Sequence, residues 1–103
     1  MQADVSVVHK ITVLYKEIYI LGAKIPKRDK FGIYLKIEQT CLESLRYAIQ
    51  ATYSTKDRKV VLLPELKIEI ETTKHLVRLL HEINVIDQTK YLQLQTFLQA
   101  WSA

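Results

Sequence analysis

The sequence predicts an all-α fold, an up-down-up-down antiparallel four-helix bundle, on three observations. Apolar residues recur at steps of three and four along four separate stretches, the spacing that lays one apolar stripe along a helix. Two glycines and two prolines in 103 residues are too few for the many tight turns of a sandwich or barrel. The polar breaks between the stretches are short, and short loops force neighbouring helices to run antiparallel. The length suits one domain over residues 1–103, burying roughly two-thirds of the unfolded chain's surface.

The first helix is predicted from about Ala3 to Gly22, with a seam of Val7, Ile11, Leu14, Ile18 and Leu21 continued by Ile25. Gly22 is a stop signal, and Pro26 restricts Ile25 to extended geometry, so 22–28 reads as a connection. Asp29 is placed as the N-cap of the second helix, which ends near Tyr53. Its apolar set is Phe31, Tyr34, Leu35, Cys41, Leu42, Leu45, Ala48, Ile49 and Thr52. Ser54, Thr55 or Asp57 can cap the third helix, whose face carries Leu62, Leu66, Thr73, Leu76, Leu80 and Ile83. Pro64, tolerated in a first turn, leaves two starts open: near Lys59, or at Pro64 itself after an extended lead-in over 60–63. Asn84 ends this helix, and Asp87 caps the fourth, where Tyr91, Leu94, Leu98 and Trp101 form the seam.

At about 1.5 Å per residue, the second and third helices are each roughly 36 Å long and the fourth roughly 21 Å. The fourth therefore leaves Ile49, Tyr53, Val61 and Leu62 under-covered, and a partner chain is expected there. On the first helix, Val13 and Ile20 lie opposite the seam inside the polar stripe of Lys10, Glu17 and Lys24. They are either scattered surface residues or a second contact face with Tyr19 at its margin. These features predict a homo-oligomer with Val13, Tyr19, Ile20, Tyr53 and Val61 at its interface.

Residues bearing chemistry are sparse. A single Cys41 provides neither a disulfide framework nor a multi-cysteine zinc site, and its helix-interior spacing marks it as a core residue. No Gly-rich phosphate loop, G-x-S-x-G elbow or H-E-x-x-H is present, so the expectation is a non-enzymatic protein without cofactor, metal or small-molecule substrate. His9, His75 and His81 fall on polar or flanking faces. Glu38, Glu65 and Glu69 fall in apolar seams, where a carboxylate must be paired, hydrogen-bonded or protonated. Inward carboxylates build di-iron sites through Glu-x-x-His pairs, whereas Glu71 and His75 are four apart and point off the seam, so structural pairing is the preferred reading. No apolar run reaches the roughly 18 residues of a membrane span, and the N-terminus lacks a signal-peptide pattern, which predicts a cytoplasmic protein without membrane contact.

Fifteen Lys and Arg against eleven Asp and Glu give a net charge of +4. The cations cluster: Lys24, Lys27, Arg28 and Lys30 fall within seven residues, and Lys56, Arg58 and Lys59 form a second group at the opposite end. Arg46, with Lys67, Lys74 and Arg78, could extend the positive surface. Repeated around a ring, such patches become a belt able to bind phosphate.

The stretch from Leu21 to Ala51 carries a basic-Ile-Pro-basic segment, Lys24-Ile25-Pro26-Lys27-Arg28, then Gly32, then Ile37-Glu38 and a Leu-rich run. It resembles the four-helix-bundle family of the accessory variability determinant (Avd) proteins of diversity-generating retroelements. That family is related to proteins encoded in intervening sequences of bacterial 23S ribosomal RNA genes. The second half, 66–98, is similar more loosely, through Leu76, Arg78, Leu80, Ile86 and Tyr91. The resemblance implies a homopentameric barrel with a positive surface that binds a reverse transcriptase and its template RNA without catalysing cDNA synthesis. It points to Lys24, Lys27, Arg28 and Arg78. The expected function is thus nucleic-acid and reverse-transcriptase binding through Lys24, Lys27, Arg28, Lys30, Arg46 and Arg78. The alternative is a protein-only scaffold or adaptor bundle whose outward apolar residues matter, and an iron-binding carboxylate bundle is a third, weaker option.

Overall fold

The computed structural model describes residues 2–102, with the side chains of 6–99. Its helices are α1 (Gln2–Leu21), a 3-10 turn (Gly22–Lys24), the single-turn α2 (Lys27–Lys30), α3 (Ile33–Thr52), α4 (Lys56–Glu82) and α5 (Gln88–Ser102). The four long helices touch in the cyclic order α1, α3, α4, α5, as an up-down-up-down bundle requires. The molecule measures 42 × 22 × 19 Å. No helix among the described residues is long and apolar enough to cross a membrane.

The predicted α1 seam is the core: Ile11, Leu14, Ile18, Leu21 and Ile25 are all buried, and Leu94 and Leu98 of α5 close over them. The Trp101 side chain lies outside the described ones. Gly22 does end α1, but for a different reason than a left-handed cap, since no described glycine has positive φ. A Cβ there would meet the Tyr34 hydroxyl oxygen at 2.7 Å, so Gly22 is small to let Tyr34 seat against it.

Asp29 does not cap the second long helix. The N–H groups of Asp29 and Lys30 bond the Pro26 carbonyl at 3.0 and 2.9 Å, closing the separate turn α2, and α3 begins only after Gly32. The core face of α3 also departs from expectation. It consists of Tyr34, Ile37, Thr40, Cys41, Ser44, Ala48 and Ala51, while Phe31, Leu35, Leu42 and Ile49 are exposed. Small side chains here let α4 approach closely. At the crossing, the Thr73 hydroxyl shares its proton between the Glu69 carbonyl (2.8 Å) and the Thr40 hydroxyl (2.9 Å), and Ser44 donates to the Thr40 carbonyl at 2.9 Å. Every hydroxyl in that buried cluster is therefore satisfied.

The start at Pro64 does not hold: α4 begins at Lys56, earlier than Lys59 and directly after the candidate cap Thr55, and runs through Pro64. Thr55 is the N-cap, its Oγ1 accepting from the Arg58 N–H at 3.5 Å. Its buried face is Lys59, Leu62, Leu66, Ile70, Thr73, Val77 and Leu80, so Leu62 is covered and Ile83 is exposed, both against expectation. The helix stops at Asn84, which adopts a left-handed φ of 64°. The Val85 N–H reaches the Leu80 carbonyl and the Asn84 N–H the His81 carbonyl, both at 3.0 Å, a Schellman closure. Asp87 then caps α5, its Oδ1 accepting from the Lys90 N–H at 2.8 Å.

Candidate nucleic-acid interface

The basic segment forms one end of the bundle. Lys24 closes the 3-10 turn, and Lys27, Arg28 and Lys30 occupy α2, all four exposed. Lys27 and Arg28 thus sit on a helical turn rather than in an open loop. Asp29, the acid among them, is buried and pairs with Arg28 (Nε to Oδ1, 3.4 Å), so the outward surface of this turn is cationic. Lys24 also borders a depression shared with Thr89 and Lys90 at the start of α5. Lys90, whose Nζ donates to Gln93 Oε1 at 2.9 Å, extends the positive end from a helix distant in sequence.

Arg46 is not part of this end, whereas Arg78 lies toward it. With Thr40 opposite Thr73, Arg46 lies about 9 Å along α3 away from the basic end, and Arg78 about 7.5 Å along α4 toward it. Arg46 is engaged locally. Its Nε and Nη2 both donate to Glu43 Oε1, and its guanidinium lies 4.6 Å from the Tyr47 ring centre. Glu43 and Glu69 line the outer α3–α4 groove with Lys36. Burial, then the Glu43 carboxylate, push the Glu69 carboxyl above its ordinary range, with Lys36 opposing. Glu65 is exposed rather than in the seam, and Glu38 is half-buried. In the second basic group, Lys59 is buried while Lys56 and Arg58 are exposed on the first turn of α4.

Cys41 and His81 are held structurally. Burial pushes the Cys41 thiol up to about 12, far from a nucleophile's range. His81 is not simply solvated: its ring stacks on Tyr91 with centroids 4.5 Å apart, and Nδ1 lies 3.5 Å from the Ile86 carbonyl. Among the described residues no group of three His, Cys, Asp or Glu could hold a metal ion.

The expected interface residues separate. Tyr53 and Val61 are exposed, as is Ile20, while Val13 is half-buried. Tyr19 is also exposed, and its ring meets that of Tyr15 with centroids 6.3 Å apart. Larger apolar faces lie on α3 and α4. Leu35, Leu42 and Ile49 repeat every seven residues, with Phe31 and Tyr53 four residues beyond either end, 70% and 87% exposed. On α4, Val61, Ile68, Leu79 and Ile83 are exposed, and a shallow apolar depression runs from Pro64 to Leu76. At 100° per residue, each of these stripes lies about 140° from its helix's buried stripe, so both helices are apolar on two sides. The seven-residue spacing is present in the sequence, within the apolar set expected to form the core.

A family model described as bAvd-like matches residues 5–100. No curated protein and no solved structure matches the chain.

Proposed function

The chain belongs to the bAvd-like family, and we propose that it is a non-catalytic accessory protein of a diversity-generating retroelement. In this reading it assembles as a homo-oligomer, a ring of five by the resemblance, and holds nucleic acid and a reverse-transcriptase partner on its basic surface. The observation that carries the reading is the cationic end: Lys24, Lys27, Arg28 and Lys30 point outward from two consecutive turns while the intervening Asp29 is buried. A ring of copies multiplies that end into a continuous positive rim, and phosphates binding it release counterions.

The test is a salt titration of binding to single-stranded RNA and DNA. Affinity should fall steeply with salt, by about 0.7 in log K per log [salt] for each phosphate contact. Lys24→Glu with Lys27→Glu should abolish binding while leaving thermal unfolding unchanged. Arg28 is left in place because it is the ion-pair partner of buried Asp29. Affinity indifferent to salt, or to the double reversal, refutes the reading.

The exposed stripes on α3 and α4 favour a second reading, a protein-only scaffold. There the charge reversals would leave partner capture intact and only stripe substitutions would disturb it.

A further inference from the structure

Beside the basic end, a depression opens between the end of α1 and the start of α3, lined by Tyr19, Gly22, Ala23, Lys30, Tyr34 and Glu38. Its floor is fixed. The Tyr34 hydroxyl donates to the Ile18 carbonyl and its ring packs on Gly22, so this phenol has no proton left for a ligand. Three groups remain usable. The Tyr19 ring is 67% exposed at the rim. Lys30 is an exposed cation. Glu38 is a half-buried carboxylate that makes no hydrogen bond or ion pair among the described residues, Lys30 included.

A ligand for this set must offer a flat face to Tyr19, two adjacent donors to the Glu38 oxygens and an anion to Lys30. An unpaired guanine in a polynucleotide has all three, since its N1–H and 2-amino group sit side by side on the Watson–Crick edge. Adenine, cytosine and uracil each set a lone pair next to the donor that a carboxylate would contact. We propose that this pocket takes an unpaired guanine of the bound strand, with Tyr19 stacking on the base, Glu38 accepting from its Watson–Crick edge and Lys30 holding a flanking phosphate. The inference rests on the nucleic-acid reading above and adds a base preference to it.

The experiment is fluorescence anisotropy with labelled uridine dodecamers carrying one central guanosine, one central adenosine or neither. The guanosine oligomer should bind roughly tenfold tighter than the other two, as one bidentate base contact implies. Glu38→Gln should erase that preference without changing the salt slope. Tyr19→Ala should weaken the guanosine oligomer, and Tyr19→Phe, which keeps the stacking face, should retain it. Equal affinity for all three oligomers, or a preference that survives Glu38→Gln, overturns the pocket and leaves charge-driven binding standing. Failure of every oligomer to bind at low salt overturns the underlying reading together with it.

Discussion

At Gly22 a single missing methyl decides how α1 meets α3. An added Cβ would lie 2.7 Å from the Tyr34 oxygen and 3.1 to 3.2 Å from two ring carbons, and Tyr34, 2% exposed, has nowhere to retreat. Burial first, then the Glu38 carboxylate and Tyr15, push this phenol up to about 12, with the Gly22 amide pulling the other way, so it stays a protonated donor at any physiological pH. Gly22→Ala should therefore cost about 1–3 kcal/mol by overpacking, although alanine is the better helix former. Tyr34→Phe removes the atom in closest conflict and one buried hydrogen bond, at about 1 kcal/mol. Because both changes act on the same contact, the double variant should be no less stable than Gly22→Ala alone in urea unfolding. Simple addition of the two costs would show that the oxygen is not what excludes the methyl.

Among the elements, α4 contains the one evident flaw. Pro64 stands nine residues into a 27-residue helix, so the Val60 carbonyl lacks its i+4 amide and the ring presses on that turn. Val60 is exposed, and water can satisfy the orphaned oxygen. Pro64→Ala should raise the unfolding free energy by about 1–3 kcal/mol in the monomer, read from the urea midpoint; an unchanged or lower midpoint would show that the helix already relieves the proline. This element also shows where sequence legibility ends. The caps at Thr55, Asn84 and Asp87 were readable because each satisfies backbone groups within four residues. Pro64 misled because a proline inside a helix is tolerated only through tertiary packing, which no local rule records. The α3 face misled for a related reason. Two apolar stripes share that helix, and the inner one is built of Ser44, Ala48 and Ala51, so size favoured the outer stripe. Lys24 to Lys30 were legible because they are contiguous. Lys90 and the Tyr19–Glu38 pocket were not, because the fold assembles them from separate helices.

For the molecule as a whole, if the proposed assembly forms through the outer stripes, they determine whether +4 charges per copy amount to a binding surface. Leu35, Leu42 and Ile49 at seven-residue spacing form a stripe suited to knobs-into-holes packing, and Val61 and Ile68, also seven apart, give α4 a shorter one. Burying either seam requires a second helix that the chain itself does not supply. Leu42→Glu and Ile68→Glu replace apolar side chains that are already 44% and 57% exposed, so each variant should keep its helical circular dichroism. Their solution mass by light scattering should nevertheless drop toward the 12.0 kDa of one chain. Nucleic-acid affinity should fall with it by at least tenfold, although every cation is untouched, because separate copies lose the effective concentration that the proposed ring would provide. Retention of the wild-type mass in both variants would move the contact elsewhere, with Val13 and Ile20 of α1 next to be replaced. Loss of mass without loss of affinity would mean that one basic end suffices and that assembly serves the protein partner alone.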